Sequence, residues 1–246
     1  MLALLPEAQA RAFAPLSRFF VGAVVRGGSG RVYLGANIEI PGLPLSQTVH
    51  AEQAALANAY MAGEREVTDI AVTAAPCGHC RQFLQELSPD GEIRVLVKGA
   101  RSVKLSQLLP AAFGPQDLGR KQGALPPMDN PVALVARTKD AVVLAAFESA
   151  RKSYAPYTRA HSGVALLTVD RRIFTGSYIE NAAFNPSLPP LQTALAGLLA
   201  AGATPSAIVR AALVEFDGAK VSQLSGVRSA LSVLAPTARM KVASLF

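Results

Sequence analysis

The stretch Ala14-Pro15-Leu16-Ser17-Arg18-Phe19-Phe20-Val21-Gly22 returns, altered but in step, as Ala155-Pro156-Tyr157-Thr158-Arg159-Ala160-His161-Ser162-Gly163. The spacing of 141 residues persists beyond it: Gly35 meets Gly176, Ile38 meets Ile179 and Glu39 meets Glu180. After a two-residue deletion the match resumes, with Gln53 on Gln192, Leu56 on Leu195 and Ala62-Gly63 on Ala201-Gly202. A period this long means two related domains, not a solenoid. A chain of 246 residues has room for both. Half of its residues are hydrophobic and 17% are charged, a composition that builds packed cores and excludes disorder.

Within each copy the same elements are predicted. In the first, residues 21–25 and 31–34 read as strands around the turn Gly27-Gly28-Ser29-Gly30. Residues 50–63, rich in Ala, Leu and Gln, read as a helix ended by Gly63. A short strand at 70–74, a helix at 77–87 and a strand at 93–97 follow. Strands alternating with helices predict an α/β sandwich whose sheet is parallel in part. The Gly/Pro-rich stretch 114–131 reads as a linker, and 140–153 has the composition of a helix opening the second domain. A boundary near residue 130 gives domains 1–130 and 131–246.

The net charge of +7 permits nucleic-acid binding without indicating it. Lys and Arg are scattered, with no tract of five or six and no interleaved aromatics, so a soluble protein with a positive surface is expected. No apolar run approaches the ~20 residues that span a bilayer. Met1 to Leu5 is apolar but lacks a basic leader, and a short amphipathic helix is expected there, not a signal peptide. The two cysteines lie three apart and cannot form a disulfide framework, which fits reduced thiols and a cytoplasmic protein.

Two strings carry the chemistry: His50-Ala51-Glu52 and Pro76-Cys77-Gly78-His79-Cys80. They offer one imidazole, two thiolates and a carboxylate outside the ligand set. A catalytic zinc uses three protein ligands, an open fourth position for water and a base beside it. Cys77 and Cys80, at i and i+3, face one way at a helix start, where free amides and the macrodipole favour thiolate. His50 and Glu52 lie two apart, ~200° in mid-helix at 3.6 residues per turn. They converge only with His50 at the helix edge and Glu52 in the first turn, so two helix N-termini are expected to meet at one zinc per chain. Glu52 then stands as the base that takes a proton from the activated water. Alone, a C-x-x-C also fits thioredoxin-like redox chemistry. A scaffold held by structural zinc would show four Cys/His ligands and would not need Glu52. Arg81 either eases the charge on the thiolates or forms a surface salt bridge. His79 is out of phase with the ligands and is expected to be structural or solvent-facing. The second copy has Pro189 for His50, Leu191 for Glu52 and no cysteine at all, so it cannot hold this metal.

The H-x-E and P-C-x-x-C pair is the signature of zinc-dependent base deaminases. The chain resembles cytidine deaminase of the two-domain, homodimeric bacterial type over nearly its whole length. The resemblance rests on Phe19-Phe20-Val21-Gly22-Ala23, Gly35-Ala36-Asn37-Ile38-Glu39, Thr48-Val49-His50-Ala51-Glu52-Gln53, Pro76 to Gln82, Glu180 to Pro186 and Leu188 to Gln192. It implies a three-layer αβα sandwich in two tandem copies, one catalytic and one degenerate. It implies hydrolytic deamination of cytidine and deoxycytidine to uridine and deoxyuridine plus ammonia, by zinc-activated hydroxide, in pyrimidine salvage. Phe19 would stack on the base, and Asn37 and Glu39 would bind the ribose. Ala51 and Ala75 would touch base and amine through their backbones. The partner subunit's C-terminal domain would close the site through Ala183-Phe184. One of Phe19 and Phe20 is expected in the core, and Glu39, which recurs as Glu180, also has a structural reading. Only about 18 residues precede Phe19, fewer than the helical segment that precedes the core in the two-domain type. A deaminase of single-stranded nucleic acid or of a modified base is the alternative, but the ribose pair favours a small enclosed nucleoside over nucleic acid.

Overall fold

Gly22 and Gly35 recur as Gly163 and Gly176 because helices press on the sheet there. The computed structural model describes residues 1–246. Helix α1 (Leu5–Gln9) precedes strands β1 (Gly22–Gly27) and β2 (Val32–Ala36), and helix α2 (Ala51–Met61) follows them. A Cβ on Gly22 would lie 2.4 Å from the Gln9 amide of α1, and one on Gly35 2.1 Å from the Ala55 amide of α2. Gly35 is paired with Ala23, one residue past Gly22, so the two glycines open onto opposite faces of the sheet. Helices α1 and α2 therefore cover opposite faces, and the unit has three layers. Leu5 and Ala8 of α1 pack on Val24 and Ala71.

The first sheet continues with β3 (Val67–Val72), β4 (Arg94–Val97) and β5 (Val103–Lys104), in the order β2-β1-β3-β4-β5. Only β3 and β4 run parallel, because helix α3 (Gly78–Leu87) returns the chain between them. A short helix α4 (Leu105–Leu108) follows β5.

The second unit repeats this plan. It comprises α5 (Ala141–Arg151), β6 (Ser162–Thr168), β7 (Ile173–Ser177), α6 (Pro190–Ala200), β8 (Ile208–Phe216), α7 (Leu224–Leu234) and β9 (Arg239–Leu245). The sheet order is β7-β6-β8-β9, with β8 and β9 parallel. Gly163 lies against α5 and Gly176 against α6, each too close for a Cβ. Val142, Val143, Ala146 and Ala150 of α5 form a core with Ala165, Ala212, Val214 and Leu245. Asp140 caps α5 by accepting from the Val142 amide and pairs with Arg210 at 2.6 Å and Lys241 at 2.7 Å.

The compact units are not contiguous halves of the chain. The first contains residues 1–39, 48–127 and 180–188; the second contains 40–47, 128–179 and 189–246. Segments 40–47 and 180–188 are the same loop in the two copies, and each packs in the unit of the other. In unit 1, Gln53 donates to the Pro186 carbonyl at 3.4 Å. In unit 2, Gln192, its repeat partner, donates to Gln47 at 2.7 Å. The stretch read as a linker is also structured in part: the Ala124 amide donates to the Glu86 carbonyl of α3 at 2.9 Å, and Ala124 is buried. No helix is long and apolar enough to cross a membrane.

Candidate active site

Two helix N-termini converge in unit 1. His50 is the N-cap of α2 and Cys77 the N-cap of α3, while Glu52 and Cys80 lie in the first turns. Both caps have extended backbone, with ψ of 153° and 170°, which turns their side chains back across the helix ends. Gln53 Oε1 accepts from the His50 amide at 3.3 Å and fixes the backbone of that residue. Pro76, at the bend into α3, gives up an amide that a helix end does not need.

His50 Nδ1 lies 3.4 Å from Cys77 Sγ and 3.2 Å from Cys80 Sγ, and the two sulfurs are 3.7 Å apart. A tetrahedral zinc with ordinary bond lengths needs sulfurs ~3.8 Å apart and each sulfur ~3.6 Å from nitrogen. The three atoms already stand within a few tenths of an ångström of that triangle, and their soft-thiolate and imidazole chemistry suits zinc. The hydrogen bond between the sulfurs pulls the Cys77 thiol down to about 4, against desolvation and with help from the Cys80 and His79 amides and the His50 charge. The same hydrogen bond, with burial, pushes the Cys80 thiol up, so the pair keeps one shared proton. Metal binding displaces that proton.

Glu52 is 4% exposed. Burial pushes its carboxyl above the ordinary range, although its own amide, the His50 charge and Cys80 pull the other way. A carboxyl raised this way, beside a metal-ligand set, is suited to passing protons near neutral pH.

A cleft of about 300 Å³ opens onto these groups. It is lined by Phe19, Asn37, Glu39, His50, Ala51, Glu52, Ala75 and Cys77, all nominated from sequence, together with Ser17, Val21, Thr48 and Ala74. Cys80 lies behind it, fully buried. Phe184 is not in its lining; it is 63% exposed on a left-handed backbone (φ 60°) in the segment 180–188.

Two sequence readings, a core phenylalanine and an Arg81 salt bridge, are not met. Neither Phe19 nor Phe20 is core: they are 62% and 47% exposed. A left-handed residue, Arg18 (φ 53°), precedes them, as Arg159 (φ 61°) precedes the buried Ala160 in the second copy. Arg81 forms no salt bridge and no hydrogen bond to either sulfur. Its guanidinium donates to the carbonyls of Pro76 and Leu108, both at 2.9 Å, tying the Cys77 loop to α4. His79 meets Gln53 through its Nε2 at 3.2 Å.

Asn37 and Glu39 line the cleft and also hold the loop that carries Phe19. Asn37 accepts from the Val21 amide at 2.9 Å and donates to the Phe19 carbonyl at 2.8 Å. Glu39 accepts from the Leu16 and Ser17 amides at 2.8 and 3.0 Å and from the Ser17 hydroxyl. Burial opposes the charge on Glu39, but these donors outweigh it and hold the carboxyl below its ordinary range. Sequence reasoning missed Ser17. Its signal was the hydroxyl kept as Thr158 in the second copy, opposite a kept Glu180.

Residues 1–96 and 105–228 each match the family described as cytidine and deoxycytidylate deaminase zinc-binding region. The cytidine deaminase of Vibrio parahaemolyticus is 49% identical over 235 residues, covering 96% of this chain and 79% of that protein. This chain belongs to the cytidine deaminase family. The cytidine deaminase of Photobacterium profundum is 47% identical over the same shares of the two chains. Among solved structures, the cytidine deaminase of Mycobacterium tuberculosis is 32% identical with a TM-score of 0.43, covering 46% of this chain and 94% of that one. As a cytidine deaminase of a zinc-binding family, the chain has in His50, Cys77 and Cys80 the group able to hold the ion.

Proposed function

We propose that the chain hydrolyses cytidine and deoxycytidine to uridine and deoxyuridine with release of ammonia, as a pyrimidine-salvage enzyme. The observation that carries this reading is the buried Glu52 beside the His50/Cys77/Cys80 triangle at the floor of a cleft with an aromatic rim. Zinc, which the His50 imidazole and the Cys77 and Cys80 thiolates would hold, would supply the Lewis acidity that makes a water acidic. Glu52 takes a proton from that water and places it on the ring nitrogen of the base. It then takes the proton of the hydroxyl newly formed on the carbon bearing the amine and delivers it to the departing amine, so that one water is consumed and one ammonia leaves.

The remaining residues bind. Phe19, exposed at the rim, offers a flat face to the pyrimidine. Asn37 keeps a second amide N–H, and Glu39 keeps lone pairs, for the sugar hydroxyls. Backbone groups of Ala51 and Ala75 face the base and its amine. We assign the catalytic role to domain 1–130 and read 131–246 as the degenerate copy. The active assembly is read as a cytoplasmic homodimer, with Ala183-Phe184 of the partner subunit closing the cleft.

The test is the ultraviolet absorbance change when zinc-loaded protein meets free cytidine, with the Glu52→Ala variant beside it. Conversion by the wild type alone supports the reading. An inert wild type carrying one zinc per chain overturns the nucleoside substrate, and single-stranded oligonucleotides would then be tried.

A further inference from the structure

Segment 180–188 is tied to both helices that carry the metal-ligand set. Asn181 Nδ2 donates to the Gln82 carbonyl of α3 at 3.0 Å. One turn on, the Glu86 carboxylate accepts from the Ala182 amide at 2.8 Å. From α2, Gln53 Nε2 reaches the Pro186 carbonyl at 3.4 Å. The segment is itself braced: Asn181 Oδ1 accepts from the Ala183 amide, and the Ser187 hydroxyl accepts from the Asn181 amide, both at 3.0 Å.

Asn181 and Glu86 are both 0% exposed, and neither lines the cleft. The proposed chemistry uses neither. Their anchor points nevertheless adjoin it: Gln53 follows Glu52, and Gln82 lies two residues beyond Cys80. The metal triangle takes one corner from α2 and two from α3. Its size therefore depends on what fixes those helices against each other, and a brace bonded to both does so.

We infer that Asn181 and Glu86 are positioning residues, which set the distance of His50 from the Cys77/Cys80 pair by clamping segment 180–188 to α3 while Gln53 holds it to α2. The inference rests on the zinc reading of the site. Groups outside the ligand set that orient it commonly change metal affinity by about 10–100-fold.

The experiment follows zinc release from the full-length, zinc-loaded chain to a chromogenic chelator, with a thermal melt of each variant alongside. Asn181→Ala and Glu86→Ala are expected to release zinc about tenfold faster than wild type, whereas Glu86→Gln, which keeps an oxygen for the Ala182 amide, stays within about twofold. Wild-type release from both alanine variants overturns the proposal, even if their melting temperatures fall, because that is the mark of plain packing. Release from Glu86→Gln as fast as from Glu86→Ala overturns the hydrogen-bond assignment. Should alanine prevent folding, Asn181→Asp, which keeps the shape and loses the N–H given to Gln82, decides by the same criterion. A wild-type chain that takes up no zinc is a separate failure, that of the site reading itself.

Discussion

Helices α2 and α6 are one helix met twice, and they differ where chemistry is done. Each has eleven residues and rides over a glycine of its sheet, Gly35 or Gly176. Helix α2 begins His50, Ala51, Glu52; α6 begins Pro189, Pro190, Leu191. Glu52 and Leu191 are equally hidden, at 4% and 1% exposure. The fold asks of that position only that it be buried, and leucine meets the demand at no electrostatic expense. A carboxyl there resists ionisation, and its presence in one copy marks a function that overrides the fold's preference.

The largest effect that would break this contrast is loss of the metal. Cys80→Ala is expected to lower bound zinc from one per chain to none, with all turnover gone; metal analysis showing full occupancy would remove Cys80 from the ligand set. Next comes Glu52→Ala, which should keep its zinc while kcat falls by roughly 10²–10⁴-fold. Loss of metal instead would make Glu52 a ligand.

In the second copy the matching change should touch stability alone. Leu191→Ala should cost about 2–5 kcal/mol in denaturant unfolding, with zinc content unchanged. A drop in zinc would mean that the copies are not separable in role. The smallest effect concerns pH. Lys241, with Arg210 and the Val142 amide, pulls the Asp140 carboxyl down to about 2 from an ordinary 3.8. A lowered carboxyl stabilises the fold fully above its unfolded value and loses that contribution as pH falls through the folded one. Asp140→Asn should therefore lower the melting temperature by a few degrees at pH 7, and the gap should close as pH falls through about 2. A gap that persists at lower pH would mean that the charge of Asp140 does not carry the effect.

Much of this was legible because spacing is geometry. The repeat carries Gly22 and Gly35 at the helix contacts, and the two-residue step from His50 to Glu52 admits only a helix edge. Other features had no periodic signal. The strand expected at 70–74 runs from Val67 to Val72, because pairing of Val72 with Ala23 on β1, not local composition, sets its end. One of Phe19 and Phe20 reads as core by hydrophobicity, yet both are exposed. Arg81 reads as a charge, but it acts through donors to two carbonyls distant in sequence. A cut at 130 follows from the Gly/Pro-rich stretch between the copies, whereas the exchange of 40–47 and 180–188 depends on contacts that no local pattern encodes.

That exchange changes what dilution can do. Were the copies separate molecules, each would meet its missing loop only as often as the two collided. On one chain, that encounter takes place at an effective concentration on the order of millimolar. Completeness of each unit no longer depends on how much protein is present. The same arrangement forbids a simple division of labour by scission: a break near residue 130 would put Gln82 and Glu86 on one fragment and the Asn181 and Ala182 groups they hold on the other.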